Sequence, residues 1–263
     1  MIRSALMNVM TAAAIKAGRG LKRDLGEIEN LQVSLKGPGD FVSLADKKAE
    51  KTLFEELSKA RPGYGFLMEE SGVVEGTDKS HVWHIDPLDG TSNFLHGIPI
   101  FAVSVGLERD GQMVAGLVYN PAADEMYIAE RGQGAWLNNH RLRVAARRDM
   151  DDALIACGIP GLGKAKEHPR LKAELARVMA RAAGVRRMGA AALDLAGVAA
   201  GRYDAYWERG LHSWDMAAGA LLVREAGGFV SDTDGGVEFL KEGSVCAGND
   251  VMHRELLKLL RGP

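Results

Sequence analysis

A succession of short strands joined by tight turns constrains the fold of this chain more than any other feature. The alternating segment Phe101–Leu107 is followed by the turn Asp110-Gly111 and by a second apolar segment, Met113–Val118. Met126–Ala129 and Gly134–Leu137 continue the series. Because strands joined by short turns pair with each other in opposite directions, we predict an antiparallel sheet and not a parallel, doubly wound one.

The second half of the sequence has a different pattern, in which strands alternate with helices. Ala153–Cys157 and Arg202–Glu208 read as strands, and Ala190–Ala200 reads as a helix dense in small residues. We therefore predict a boundary near residue 145. An N-terminal α+β domain would cover 1–145 and a C-terminal α/β domain 146–263.

Composition bounds the class of protein. The chain has 263 residues, enough for a substantial core without disulfides, and its two cysteines, Cys157 and Cys246, form no CxxC pair. This predicts a reducing, cytoplasmic location and argues against structural zinc. A formal net charge of −2 gives no general electrostatic reason to bind nucleic acid or an anionic membrane.

The N-terminal segment is predicted to be an amphipathic helix that packs on the surface of the fold. Its apolar residues recur at helical spacing: Leu6, Val9, Met10, Ala13 and Ala17. We expect the helix to end near Gly18 and Gly20. The segment does not read as a signal peptide, and no run approaches the ~18 apolar residues of a membrane span.

The stretch from Asp86 to Asn93 is the strongest candidate for chemistry. It follows Val82–Ile85, which reads as a buried strand, and Pro87 predicts a turn directly after that strand. A turn here can aim the carboxylates of Asp86 and Asp89 into one pocket, with the Leu88 carbonyl between them. The alternative is an ordinary turn after a strand, for which these residue types are common.

Two neighbouring features could serve a phosphate and a water molecule. Gly90 lets the backbone approach a ligand, and the N–H groups of Gly90, Thr91 and Ser92 would open a helix whose N-terminus suits an anion. Asp46, paired through the Thr91 hydroxyl, could position and partly deprotonate a water molecule. A purely structural role for Asp46, as the N-cap of a helix that ends before Pro62, is the alternative.

Two more acids lie where elements end or begin. Glu69 follows the predicted strand Tyr64–Met68, and Asp215 lies in the first turn of a helix over Trp214–Val223, where the helix dipole favours an acid in any case. Together with Asp86, Asp89 and the Leu88 carbonyl, they form a set of hard oxygen ligands that selects Mg²⁺, Mn²⁺ or Ca²⁺ over zinc. Such a site could support metal-assisted phosphoryl transfer.

Three motifs resemble the signatures of the inositol monophosphatase family, in the same order. They are Met68-Glu69-Glu70-Ser71, the stretch Asp86–Asn93, and Trp214–Gly219 with Glu225–Gly228. The resemblance spans nearly the whole chain, including Asp40–Ser43 and the region from Gly189 to Glu208. With the predicted elements, it implies an α+β or α/β fold, a layered αβαβα sandwich of an antiparallel sheet and a second mixed sheet, with helices between and outside.

The resemblance also implies roles for individual residues. Mg²⁺, as two or three ions, would be bound by Glu69, Asp86, the Leu88 carbonyl, Asp89 and Asp215. The residues that would activate the water are Asp46, Thr91 and Glu69. Substrate would contact the metal-site residues Glu69, Leu88, Asp89 and Asp215, the N–H groups of Gly90 and Thr91, and the residues Gly189, Ala190, Ala191 and Glu208. The family is further expected to form homodimers and to be inhibited by Li⁺.

The substrate is predicted less sharply than the chemistry. The single Glu208 and the short connections favour a small phosphorylated polyol such as inositol 1-phosphate. The family also includes phosphatases for nucleotide 3′-phosphates, fructose bisphosphate and histidinol phosphate, so these remain open. Arg186 is a candidate substrate contact, although Arg186-Arg187 also fits a solvated strand edge or a contact with a partner subunit.

A function of another class is an RNA- or protein-binding regulator on the same fold. Arg147-Arg148 and Arg186-Arg187 could form a basic face for such a partner. The acidic net charge weakens this alternative, and nucleic acid is not the expected partner.

Overall fold

The computed structural model describes residues 4–25, 33–37, 40–160 and 165–262. The helices are α1 (Ala5–Leu25), α2 (Leu44–Ala60), α3 (Thr91–Leu95), α4 (His168–Met179), α5 (Ala191–Ala199), α6 (Ser213–Glu225), α7 (Phe239–Glu242) and α8 (Asp250–Arg261). The strands are β1 (Val33–Gly37), β2 (Asp40–Ser43), β3 (Tyr64–Met68), β4 (Gly72–Val74), β5 (Asp78–Asp89), β6 (Ala102–Arg109), β7 (Gln112–Asn120), β8 (Glu125–Glu130), β9 (Gly134–Leu137), β10 (His140–Arg141), β11 (Leu154–Cys157), β12 (Gly184–Arg186), β13 (Ala205–Arg209), β14 (Phe229–Ser231) and β15 (Ser244–Gly248).

Two large sheets organise these elements. The first has eight strands in the order β10-β9-β8-β7-β6-β5-β3-β4, and its one parallel pair is β3 with β5. The second has five strands in the order β12-β11-β13-β15-β14, with β11 parallel to both of its neighbours and the other pairs antiparallel. The predicted hairpin series is confirmed as β6 to β9, and the second sheet is mixed as expected.

Helices cover both sheets and separate them, which confirms the predicted αβαβα sandwich. α1 and α2 pack on the outer face of the first sheet, α5 and α6 fill the space between the sheets, and α4 and α8 cover the second sheet. Each layer has its own buried side chains, represented by Trp83 in the first core, Leu222 in the middle core and Trp207 in the outer core. Their burial is the main stabilising contribution, at roughly 25 cal/mol per Å² of apolar surface. The division into two domains near residue 145 stays a prediction.

The first helix is longer than its glycines suggested. We expected it to end near Gly18 and Gly20, and this prediction is wrong, because α1 continues to Leu25. A Cβ atom on Gly18 would lie 2.6 Å from Cε1 of Tyr119 in β7. Gly18 therefore allows the helix to approach the sheet closely and is not a stop signal. No helix in the described part of the chain is long and apolar enough to cross a membrane.

The start of α2 also differs from the prediction. The helix begins at Leu44, directly after β2, so Asp46 lies inside the first turn and is not its N-cap. Its carboxylate is fully buried and accepts a hydrogen bond from another segment. The end of the helix at Ala60, before Pro62, is as predicted.

Candidate active site

The two central aspartates lie on a bulge of β5. Asp86 pairs with Ser104 of β6 and Asp89 with Ala102, so β5 has one residue more than its partner in this interval. We predicted that this strand ends at Ile85, and that prediction is wrong. The strand continues through the bulge to Asp89. Pro87 lacks an N–H for the ladder, and a bulge tolerates that loss. The Leu88 N–H donates to Oδ1 of Asp86 over 2.9 Å, which fixes the Asp86 carboxylate.

Glu69 reaches this bulge because β3 runs parallel to β5. Met68 pairs with Ile85, and the Glu69 N–H donates to the Ile85 carbonyl over 3.1 Å. Parallel strands bring their carboxyl ends to the same edge of a sheet. The half-buried Glu69 thus lies beside Asp86, and a hydrogen bond joins their side chains.

Asp215 reaches the same place from the start of α6. Its Oδ2 accepts a hydrogen bond from the His212 N–H over 2.7 Å, so it caps the start of α6 in addition to having the position that the helix dipole favours. Ser104 donates to the Trp214 carbonyl over 3.1 Å, which ties this end of α6 to β6. Capping therefore does not remove Asp215 from the acidic cluster, which it enters from another layer of the fold.

Burial and mutual repulsion raise the pKa values of three of these acids. The pKa of Asp86 lies well above its usual range because of burial and then because of the charges of Glu69, Asp89 and Asp215. Burial likewise raises the pKa of Asp89 to about 7, against the Ala192 N–H, which lowers it. Burial and then the charge of Asp89 raise the pKa of Asp215, against the His212 N–H. Such a cluster is costly without a cation.

The donor set fits a hard divalent cation, since every group is an oxygen. In the described ranges, no three histidine, cysteine or acidic side chains already surround a common metal position. A hydrogen bond instead joins the side chains of Glu69 and Asp86. Metal binding would require Asp86, Asp89 and Asp215, whose pKa values are raised, to release protons.

Asp46 and Thr91 form the pair that the sequence suggested. The Thr91 hydroxyl lies 3.2 Å from Oδ1 of Asp46 and 3.1 Å from the Leu88 carbonyl oxygen. Since the hydroxyl has one hydrogen and two acceptors, it keeps lone pairs available for a hydrogen bond from a water molecule. A proton acceptor, a hydroxyl and a carbonyl from three elements therefore meet beside the acidic cluster.

Gly90 makes the turn into α3. Its φ of 87° is left-handed, and a Cβ atom there would lie 2.9 Å from the Ile100 carbonyl oxygen, so only glycine fits without strain. The Phe94 N–H donates to the Gly90 carbonyl over 3.0 Å in the first helical hydrogen bond. The N–H groups of Thr91 and Ser92 precede that bond, as expected of the first turn of a helix.

Asp89 also connects the cluster to the predicted substrate loop. Its Oδ1 accepts from the Ala191 N–H over 3.2 Å and its Oδ2 from the Ala192 N–H over 2.7 Å. The Asn93 side chain donates to the carbonyls of Ile100 and Met188, each over 2.8 Å. These contacts bring Gly189, Ala190 and Ala191 to the site.

Glu208 lies on β13, and its charge contributes to the raised pKa values of Asp89 and Asp215. It is half-buried, and the Tyr206 hydroxyl donates a hydrogen bond to its carboxylate. A Cβ atom on Gly158 would collide with the Glu208 carboxyl group, so the glycine leaves the space that Glu208 occupies. The charges of Glu208 and Asp89 both raise the pKa of Asp194 on α5.

The two neighbouring arginines differ in position. Arg186 is exposed, and its guanidinium donates to the Val185 carbonyl over 3.0 Å. The Arg187 guanidinium lies against Gly189, with Nη1 2.6 Å from the position of a Cβ atom on that glycine. The Arg187 guanidinium thus lies next to the predicted substrate loop, and the substrate contact of Arg186 stays a prediction.

Sequence reasoning missed several residues that hold the site together. His84 is buried between Ser213, 3.0 Å from its Nδ1, and Glu108, 3.1 Å from its Nε2, so it links β5 to the start of α6. Glu50 accepts hydrogen bonds from the turn after Glu69. The spacing of Glu50, four residues after Asp46 on one helix, was the one available signal.

Comparisons with known proteins identify the class of this chain. The model of the inositol monophosphatase family matches residues 3–262. An inositol-1-monophosphatase of Mesorhizobium japonicum is 65% identical over 263 residues, which are 100% of this chain and 98% of that protein. The Nus factor SuhB of Escherichia coli strain K12 is 42% identical over 257 residues, covering 97% of this chain and 96% of that protein.

A solved structure agrees with the sequence comparisons. The extragenic suppressor protein suhB from Bartonella henselae superposes with a TM-score of 0.96 at 57% identity, and the match covers 98% of this chain and 99% of that one. The fold and the matches thus define a phosphatase of the αβαβα class. The chain belongs to the inositol monophosphatase family, as its three motifs indicated.

Proposed function

We propose that this protein is a Mg²⁺-dependent phosphatase that hydrolyses a small phosphorylated polyol, most specifically inositol 1-phosphate. The observation that carries the proposal is the meeting of Glu69, Asp86, Asp89 and Asp215 from β3, β5 and α6 beside the Asp46–Thr91 pair. A cluster of acids with raised pKa values calls for a cation, and oxygen ligands favour Mg²⁺.

Each group of residues has a separate role in the proposed reaction. Glu69, Asp86, the Leu88 carbonyl, Asp89 and Asp215 would hold Mg²⁺. When bound, the metal would polarise the phosphate, promote ionisation of a water molecule and neutralise the leaving oxygen. Thr91 would accept a hydrogen bond from the attacking water. Asp46 would take up the proton that this water releases. The N–H groups of Gly90 and Thr91 would bind phosphate oxygens.

The polyol side of the substrate would lie between the α5 loop and β13. Gly189, Ala190 and Ala191 are held there by Asp89 and Asn93, and Glu208 offers a carboxylate for ring hydroxyl groups. Arg187 lies beside this loop and could contact the substrate as well. The name of the Mesorhizobium japonicum relative supports inositol 1-phosphate, while the other monoesters of the family compete for the same metal site.

Phosphate release tests the proposal directly. We expect hydrolysis of inositol 1-phosphate with Mg²⁺, little or none with EDTA, and a loss of at least about 10³-fold in kcat/KM for Asp89→Asn. Equal activity of Asp89→Asn and the unaltered protein would contradict the assignment of Asp89 as a metal ligand. Comparing kcat/KM over inositol 1-phosphate, fructose 1,6-bisphosphate, a nucleotide 3′-phosphate and histidinol phosphate identifies the preferred alcohol.

A second candidate function is regulatory, and the name Nus factor carried by the Escherichia coli relative supports it. The structure weakens the basic face expected for it. Arg147 donates to the buried Asp204 over 3.1 Å and Arg148 lies 3.7 Å from Asp250, so two of the four arginines have an acidic partner. If RNA binds through arginine–phosphate contacts, its affinity must fall as salt rises, and a salt-independent affinity would exclude those contacts.

Homodimer formation, Li⁺ inhibition and a cytoplasmic location stay predictions. The first follows from the family resemblance and is checked by sedimentation of the full chain. The second is checked by adding Li⁺ to the phosphatase assay.

A further inference from the structure

Glu50 is a buried acid that contacts the segment directly after Glu69. It lies on α2 and is 3% exposed. Its Oε2 accepts a hydrogen bond from the Glu70 N–H over 2.8 Å, and its Oε1 accepts one from the Ser71 hydroxyl. Both oxygens of one carboxylate therefore hold the two residues that follow Glu69 in the chain.

The same helix contacts the other half of the site one turn earlier. Asp46 precedes Glu50 by four residues, so the two side chains lie on one face of α2. Asp46 accepts its hydrogen bond from Thr91, after the bulge of β5, whereas Glu50 accepts from the turn after β3. One helix face thus connects the Glu69 segment with the Asp86–Thr91 segment.

Burial of a carboxylate is costly unless donors satisfy it, and a backbone N–H with a hydroxyl provides two such donors. Removal of the carboxylate would leave the Glu70 N–H without this acceptor and release the turn from α2. Glu69 would keep its own backbone hydrogen bond to Ile85, but the turn that follows it would lose the hydrogen bonds that join it to α2. The Glu69 carboxylate would lose its fixed orientation toward Asp86.

We propose that Glu50 is a positioning residue, which fixes the Glu69 carboxylate for metal binding through the Glu70 N–H and the Ser71 hydroxyl. The proposal rests on the proposed Mg²⁺-dependent function. Groups that orient metal ligands from outside typically contribute 10- to 100-fold to metal affinity, which gives the size of the expected effect.

Mn²⁺ binding by the full chain, followed by electron paramagnetic resonance of the free ion, is the main test. Glu50→Ala should raise the Mn²⁺ dissociation constant by about tenfold or more. Glu50→Gln keeps an acceptor for Glu70, and the Ser71 hydroxyl can reverse its direction, so its constant should stay within about threefold of the unaltered value. Glu55→Ala is the matched control on the exposed face of α2 and should change nothing.

Glu50→Asp separates position from charge, and it also serves if Glu50→Ala does not fold. The shorter carboxylate keeps the charge but cannot reach both donors, so we expect a Mn²⁺ dissociation constant raised by about fivefold. A constant equal to that of the unaltered protein would mean that Glu50 acts by charge, which would overturn the positioning role.

Hydrogen exchange at the Glu70 amide gives a readout that needs no metal. In EDTA, exchange should be slow in the unaltered protein and in Glu50→Gln, and at least about tenfold faster in Glu50→Ala. Equal Mn²⁺ affinity and equal exchange in folded Glu50→Ala would refute the proposal. If the unaltered chain binds no Mn²⁺, the proposed function fails instead, and the exchange result still decides whether Glu50 holds the turn.

Discussion

Two helices border the candidate site, and their buried carboxyl groups differ in one respect. On α2, Asp46 and Glu50 receive hydrogen bonds from Thr91 and from the Glu69 turn. On α5, Asp194 is 1% exposed, and neither of its oxygens has a hydrogen-bond partner among the described residues. The same chemical group is thus satisfied on one side of the site and unsatisfied on the other.

This difference separates a group that organises the site from one that costs stability. A carboxylate that accepts hydrogen bonds fixes the position of its donors, as Asp46 and Glu50 do. An unsatisfied one is held neutral, since burial and the charges of Glu208 and Asp89 raise the pKa of Asp194 to about 9. Proximity to the site therefore does not by itself give an acid a role in the chemistry.

The largest expected effect is that of Asp46→Asn. The asparagine carbonyl can still accept the Thr91 hydrogen bond, but it cannot take up a proton from water. We expect kcat to fall by about 10²- to 10⁴-fold with little change in the free energy of unfolding. Phosphate release at saturating substrate and a urea titration measure the two quantities.

Asp194→Asn is the control for that experiment, and its kcat should stay near that of the unaltered protein. A kcat that falls equally in both variants would remove the distinction between the two helices.

The next effect is on stability and concerns Asp194 alone. Because its folded pKa of about 9 exceeds the unfolded value near 4, the folded state binds more protons between these limits, and stability falls as pH rises through them. Asp194→Asn removes that loss. We expect the free energy of unfolding in EDTA to increase more at pH 8.5 than at pH 5.5, with a difference of up to about 4 kcal/mol, since each pH unit between the two pKa values contributes about 1.4 kcal/mol.

Urea titrations at the two pH values measure the difference, with the exposed Asp151→Asn as a matched control. A stability gain that does not grow with pH would show that Asp194 has a partner and is ionised.

The smallest expected effect is the pH dependence of Mg²⁺ affinity. Asp89, bound by the α5 amides, has a pKa raised to about 7 by burial, and Asp86 and Asp215 are raised as well. Protons therefore compete with Mg²⁺ at neutral pH. We expect Mg²⁺ affinity to rise by about tenfold from pH 6 to pH 7.5.

Calorimetry in two buffers of different ionisation enthalpy counts the protons that Mg²⁺ releases. Zero release at pH 6.5 would contradict the raised pKa values of the cluster.

Local features of the sequence were enough to predict most of the architecture. The turn Asp110-Gly111 and the alternating segments beside it specify the hairpin series, because alternation and turn type depend on neighbouring residues. The residue types at Asp86, Asp89, Glu69 and Asp215 suggested a hard metal site, and the three motifs identified the family. These inferences needed no knowledge of distant contacts.

Other features depend on residues far away in the sequence. Gly18 reads as a helix end until Tyr119 is seen to lie against it, and Asp46 reads as an N-cap until Thr91 is placed beside it. Pro87 reads as the end of a strand, because a bulge is defined by the pairing of two strands and cannot be recognised from one. The partner residues, Ser104 and Ala102, belong to β6. Glu50 and Asp194 gave no local signal that separates their environments.

The sequence by itself determined which groups are available: a hairpin series, a glycine at position 90 that lets the backbone approach a ligand, and acids at the ends of strands and the start of a helix. Periodicity, turn chemistry and ligand type act over a few residues, so they can be read along the chain. Only the tertiary structure decided which acids share a cluster and which have donors. Those properties depend on burial and on charges brought together by packing, as Asp194 and Glu50 show from opposite sides of the site.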